Sequence, residues 1–180
     1  MESTNDSSMM WLVYALMTAG CWGLYGILLH QGQVSMADGE NARFKAFLWV
    51  GIAYFITAVA APLAILVYRG ANWNHPTGGI VFSLVAGTVG AVGAFCVLLS
   101  FGAKGMPSVV MSLIFGIAPL INAIVSIALH PPVGGLKAIP IPFFVGIIML
   151  ASGGFLVSAY KPGPGKPHAK PVETTEHLAK

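Results

Sequence analysis

Five stretches of this sequence contain no Asp, Glu, Lys or Arg at all, at about 9–29, 46–68, 80–101, 106–129 and 143–160. Each is close to the ~20 apolar residues a helix needs to cross the hydrocarbon core of a bilayer. Only 8% of the chain is charged, against ~25% in a soluble domain. That charge is confined to the ends and the connections between stretches. These features predict an all-α integral membrane protein, a five-transmembrane-helix bundle over residues 9–160. A short polar tail, 1–8, precedes it; it lacks the basic start of a secretory signal, so the first span is expected to be retained. The stretch 161–180 is rich in Lys, Pro, Glu and Thr with few apolar residues, which predicts a disordered cytoplasmic tail.

The lysines and arginines set the expected orientation. Arg69 and Lys137 lie on the N-terminal side, while Arg43, Lys45, Lys104, Lys161, Lys166, Lys170 and Lys180 lie opposite. The excess of positive charge on cytoplasmic loops then places the N-terminus outside and the C-terminus in the cytoplasm. A bacterial inner membrane is the expected location.

The fourth stretch carries the clearest functional pattern. At ~100° per residue, Ser108, Ser112, Pro119, Asn122 and Ser126 share one face. Pro119 has no N–H, so the carbonyl of Phe115 loses its partner, and Gly116 lies one turn before. This predicts a helix break at Gly116 and Pro119 beside a polar stripe facing a bundle interior or aqueous cavity. The plainer reading is that these groups hold helices together by hydrogen bonds. In the first stretch, Tyr14, Thr18, Trp22 and Tyr25 share a face that either walls a pocket or packs in the bundle. Gly20, Gly23 and Gly26 there, the ridge Ser83, Gly87, Gly90 and Ala94 in the third stretch, and Gly146 and Gly153 in the fifth predict close helix contacts. Pro62 predicts a kink in the second. The short link 102–105 makes spans three and four antiparallel neighbours.

Three places resemble a half-unit of the drug/metabolite transporter superfamily, in its EamA-type permease branch. Cys21-Trp22-Gly23 is similar to that family's tryptophan-glycine pair in its first helix. Ser100 to Ser108 resembles its short turn before an apolar helix, and Ala118-Pro119-Leu120 its proline in helix four. Most members carry two five-helix repeats of opposite orientation. The resemblance therefore implies that this single set pairs, with a second copy or with a partner half. The small multidrug-exporter branch uses a membrane-buried glutamate to couple protons to cations. Here Glu2, Asp6, Asp38, Glu40, Glu173 and Glu176 all lie outside the spans, which argues against that mechanism.

The expected function is a membrane transporter for a small organic solute, neutral or zwitterionic, with Trp22, Tyr25, Ser112 and Asn122 as substrate-binding residues. The alternative is a non-transporting accessory or scaffold subunit of a larger membrane complex. A passive channel would need polar linings on more than one span. No phosphate-cradling loop, nucleophile elbow or paired carboxylate within a span occurs, so no enzyme activity and no cofactor is expected. His75 and His130 share the expected outer side and suit an interfacial role better than a metal. Lys104 suits either attraction of an anion or an anchor at the span boundary. Cys21 and Cys96 read as small buried hydrophobes. No basic-aromatic patch suggests nucleic acid.

Overall fold

The computed structural model describes residues 3–161, with side chains from Met9 onward. From 162 on, the tail expected to be disordered lies outside the described residues. Helix α1 spans Ser3–Ser35, α2 Ala42–Phe55, α3 Ala61–Tyr68, α4 Thr77–Gly102, α5 Pro107–Leu129 and α6 Ile141–Ala159. A π turn, Ile56–Ala60, joins α2 to α3. A 3-10 turn, Gly135–Ala138, precedes α6. There is no strand among the described residues. Five segments are long and apolar enough to cross a membrane: Met9–Ser35, Ala42–Tyr68, Thr77–Gly102, Pro107–Leu129 and Ile141–Ala159.

The prolines have local consequences that differ with position. Pro107 and Pro142 sit in the first turns of α5 and α6, where a missing N–H removes nothing. Pro62 follows the π turn, in which the Ala61 N–H reaches back to the Ile56 carbonyl. The wider turn separates the proline ring from the carbonyl it would otherwise press upon. Pro119 does not end its helix: α5 is continuous from Pro107 to Leu129. The break expected at Gly116 and Pro119 is therefore a missing hydrogen bond inside an unbroken helix. One lost bond among a helix's many is tolerable when neighbouring helices enclose the site.

The packed core lies at one end of the molecule. Leu29, Ala46, Val97, Leu98, Phe101 and Met111 form it, with Leu98 completely enclosed. These residues come from the end of α1, the start of α2, the end of α4 and the start of α5. Met111 fills the space above Gly26, where an added Cβ would lie 2.5 Å from Met111 Cγ. Helix α6 joins through α5 alone in its closest approach. A Cβ on Gly116 would meet the Leu150 carbonyl oxygen at 2.9 Å and Gly154 Cα at 3.0 Å. A Cβ on Gly154 would meet the Ser112 carbonyl oxygen at 2.9 Å.

The expected glycine contacts are redistributed accordingly. Among the described residues, Gly20, Gly23, Gly87, Gly90, Gly146 and Gly153 have no neighbouring atom within 4 Å of an added Cβ. Of the glycines expected to make close contacts, Gly26 does so, against Met111, and the other such contact is made at Gly116 and Gly154. Spacing identifies a stripe of small residues but not the direction it faces, because rotation about the helix axis is set by all neighbours at once.

Two connections are held by local hydrogen bonds. The α4–α5 turn is a Schellman motif, with Gly105 N–H donating to the Ser100 carbonyl (2.9 Å) and Lys104 N–H to that of Phe101 (3.0 Å). Lys104 occupies the left-handed position of the motif, φ +67°, which disfavours a side chain by ~1–2 kcal/mol. Lys104→Gly is expected to raise resistance to thermal or denaturant unfolding in detergent, by about 1 kcal/mol after the glycine's extra unfolded-state entropy is deducted. An unchanged or lowered melting point would show that the lysine side chain makes a compensating contact.

In the α1–α2 loop, the Asn41 and Ala42 N–H groups both donate to the Asp38 carbonyl, at 2.9 and 2.8 Å. The Asp38 carboxylate pairs with Lys45. That hydrogen bond, helped by the lysine's charge and by Asn41 and opposed by slight desolvation, holds the Asp38 carboxyl below the ordinary aspartate range. Folding thus favours the ionised form. Its contribution is complete above the ordinary aspartate value and is lost as pH falls through the lowered one. A carbon-13 titration of Asp38 should show a midpoint below that of a free aspartate, and Lys45→Ala should return it upward.

Candidate functional site

Beyond the packed end the helices part, and a cavity of about 480 Å³ opens between α1, the α2–α3 segment and α4. Its wall on α1 is Cys21, Trp22 and Tyr25; on α2 and the π turn, Tyr54 and Ala58; on α4, Gly87, Gly90 and Ala91. The α4 wall is the small-residue ridge read from the sequence as a packing seam. Its middle members face open space, while Ala94, one turn further, is buried. Ser83 lines a separate hollow with His75 and Gly79 at the start of α4.

The aromatic groups are arranged by helical spacing and by α5. Trp22 and Tyr25 are one turn apart, with ring centroids 5.4 Å apart and planes tilted by 54°. Phe115 reaches Trp22 edge-on from α5, at 6.3 Å and 89°. Such tilted and edge-on pairs set the positive rim of one ring against the negative face of another. Thus the residue whose carbonyl Pro119 leaves unpaired is the one that brings α5 to the α1 aromatic face.

A second, more apolar hollow of about 600 Å³ runs between α1 and α2. It shares Cys21, Tyr25 and Tyr54 with the first. The Tyr25 hydroxyl is buried and makes no hydrogen bond within 3.5 Å among the described residues, but the Tyr54 hydroxyl faces it across the same wall. Leaving such a group unpaired costs roughly 1–3 kcal/mol. The two tyrosine hydroxyls thus lie together at the wall common to both spaces. Among the described residues, no charged side chain lines either one.

Of the four residues expected to bind substrate, the structure brings Trp22 and Tyr25 together in the cavity wall. Ser112 lies elsewhere, at the α5–α6 seam. Its hydroxyl donates to the Ser108 carbonyl at 2.7 Å, and its own carbonyl faces Gly154. Asn122 is exposed further along α5 and is not among the cavity's lining residues. Tyr54, Gly87, Gly90 and Ala91 are lining residues that the sequence reading missed. The signal for the glycines was present in the ridge; what it lacked was the direction of that face. Tyr54 is a tyrosine in the middle of an otherwise apolar run, and its hydroxyl was the available clue.

The polar groups near the packed end stand against other elements of the chain, although Gln33 Oε1 and Arg43 Nε are buried without a hydrogen-bond partner among the described residues. A Cβ on Gly102 would lie 3.4 Å from Arg43 Nη1 and 3.6 Å from Gln33 Nε2. Both donors therefore sit over the carbonyl end of α4, where positive charge is favoured. His30 packs edge-on against Phe101 at 5.3 Å, and His75 against Trp73 at 6.2 Å. Among the described residues no group of His, Cys, Asp and Glu is placed to hold a metal ion. Cys21 and Cys96 are both free and exposed, rather than buried as small hydrophobes.

No protein-family model, curated protein or solved structure matches this chain.

Proposed function

We propose that this chain is a half-size membrane permease of the EamA type, acting as a pair of copies to move a small uncharged or zwitterionic organic solute. The observation that carries this reading is the cavity at mid-span, walled by Trp22, Tyr25 and Tyr54, with no charged group on its wall among the described residues. Intramembrane cavities between partly opened helices are where carriers of this general kind bind solute. The absence of a carboxylate on its wall favours a solute without net charge. The glycine wall on α4 provides room, and the aromatic wall on α1 provides surface to stack against. The molecule sits in a bacterial inner membrane with the packed end, bearing Arg43, Lys45 and Lys104, on the cytoplasmic side.

The test is flux. Purified protein in liposomes is expected to exchange a solute found by thermal-shift screening, since a ligand that binds only the folded state raises its apparent stability. Trp22→Ala is expected to reduce that flux by about tenfold or more, a loss of ~1.4 kcal/mol in binding or barrier. Asn122→Leu is expected to leave it nearly unchanged if the cavity alone binds solute, and to reduce it if the α5 polar face also lines the path. Flux indifferent to Trp22→Ala would remove the site assignment. A stoichiometric complex with another membrane protein, together with no solute-dependent stabilisation, would favour the accessory-subunit reading instead.

A further inference from the structure

The α1–α2 hollow has a direction. At one end lie Cys21, Tyr25 and Tyr54, which are also the wall of the mid-span cavity. At the other lie Gly32 and Met36, where α1 gives way to the loop before α2. The rise along α1 between positions 21 and 36 is about 22 Å, more than the ~15 Å depth of one leaflet's hydrocarbon. The hollow therefore runs from the interface to about the middle of the span. Its lining is apolar along this length, with Trp49 beside the path.

Its outer end has a charge arrangement of its own. On α2, Lys45 is one turn before Trp49, so it stands on the Trp49 side of the mouth. It pairs there with Asp38, two residues beyond Met36. Both side chains remain partly exposed, at 52% and 35%. This ion pair stands beside the mouth, next to the lining residues Met36 and Ala46, and a head group that bears both charges can exchange with it pair for pair.

We infer that this slot binds a single-chain amphiphile with a zwitterionic head, entering sideways from the bilayer, and that such a molecule is the solute class of the permease. The inference rests on the reading of the mid-span cavity as a transport site, and it adds the route and the chemistry of the cargo. The phosphate of the head meets Lys45, its ammonium meets Asp38, and the chain lies along Gly32, Ala46 and Ala53. A volume of about 600 Å³ is that of a site for one small molecule, which suits one chain better than two. Contact with lipid is no different in solvation from contact with the slot, so selectivity comes from the head pair and from fit.

The probe is palmitoyl lysophosphatidylcholine brominated on its chain, added to the full-length protein in phosphatidylcholine nanodiscs. Bromine quenches tryptophan on contact, and Trp49 lines the slot. Quenching is expected to saturate with probe and to be displaced by unbrominated lysophosphatidylcholine. Gly32→Leu and Ala53→Phe fill the slot; position 32 has open space above it, so the leucine displaces nothing. Each is expected to raise the half-saturating probe fraction by about tenfold or more, and Lys45→Ala combined with Asp38→Ala by a similar factor. Quenching that rises linearly and is the same in the filled variants would mean ordinary lipid contact and would overturn the inference. The two readings fail separately. Saturable quenching with no flux of the probe or of any screened solute removes the permease and leaves the slot. Flux of another solute with non-saturating quenching removes the slot and leaves the permease.

Discussion

Valine at position 116 is expected to part α5 from α6 and to lower the stability of the protein markedly. A Cβ there would lie 2.9 Å from the Leu150 carbonyl oxygen, 3.0 Å from Gly154 Cα and 3.3 Å from Gly154 N. All three are backbone atoms, so no side chain can rotate away. The helices must separate by several tenths of an ångström along their whole contact. Overpacking of this kind costs typically 1–3 kcal/mol, and here it acts on the one close approach that α6 makes. Gly154→Val should do similar damage, since its Cβ would meet Ser112 and Gly116 at 2.9 and 3.2 Å. The double variant should cost less than the sum, because both substitutions break the same contact. Gly146→Val and Gly153→Val have open space and serve as controls. Melting in detergent is the measurement. If Gly116→Val melts with Gly153→Val, α5 and α6 are not held by that seam.

The contrast between Gly116 and Gly153 also shows what the sequence made legible. The five apolar runs were evident because a long charge-free stretch in lipid has few structural solutions, a helix being the simplest. The chain's rotation about each helix axis was not evident, because it depends on partners several spans away. Gly87 and Gly90 were therefore read as a seam although they face a cavity, and Gly146 and Gly153 although they face outward. Pro119 was read as a break although α5 passes through it. Polar residues misled at the end of α1 as well. Gln31, Gly32 and Gln33 look like the start of a connection, yet they continue the helix to Ser35. There Gln33 reaches the end of α4, which no local pattern could indicate. Trp22 and Tyr25 were legible as an aromatic face because they lie on one helix. Tyr54, opposite them, was not, because only the folded chain places α2 across from α1.

Leucine at position 90 should separate a cavity from a packing seam by moving stability and transport in opposite directions. A seam glycine replaced by leucine would push helices apart, as at Gly116, and the protein would lose stability. Gly90 instead has no atom within 4 Å of an added Cβ and faces the space between Trp22, Tyr25 and Tyr54. A leucine there occupies room that is already open. It also replaces glycine inside a helix, which favours the helical state by up to ~1 kcal/mol. The variant is therefore expected to melt no lower than the natural protein. On the proposed permease reading, its flux should fall by about tenfold or more, ~1.4 kcal/mol, because the volume proposed to accept solute is filled. Gly87→Leu, one turn earlier on the same wall, should act alike. Trp22→Ala should reduce flux for the opposite reason, by removing the surface on which solute stacks while leaving the space larger. Combining Trp22→Ala with Gly90→Leu then tests shape against surface. Recovery of part of the flux would mean that volume governs the site, and no recovery would mean that the tryptophan face does. Gly90→Leu with lowered stability and unaltered flux would place a neighbouring helix, from this chain or a second copy, where the cavity has been drawn.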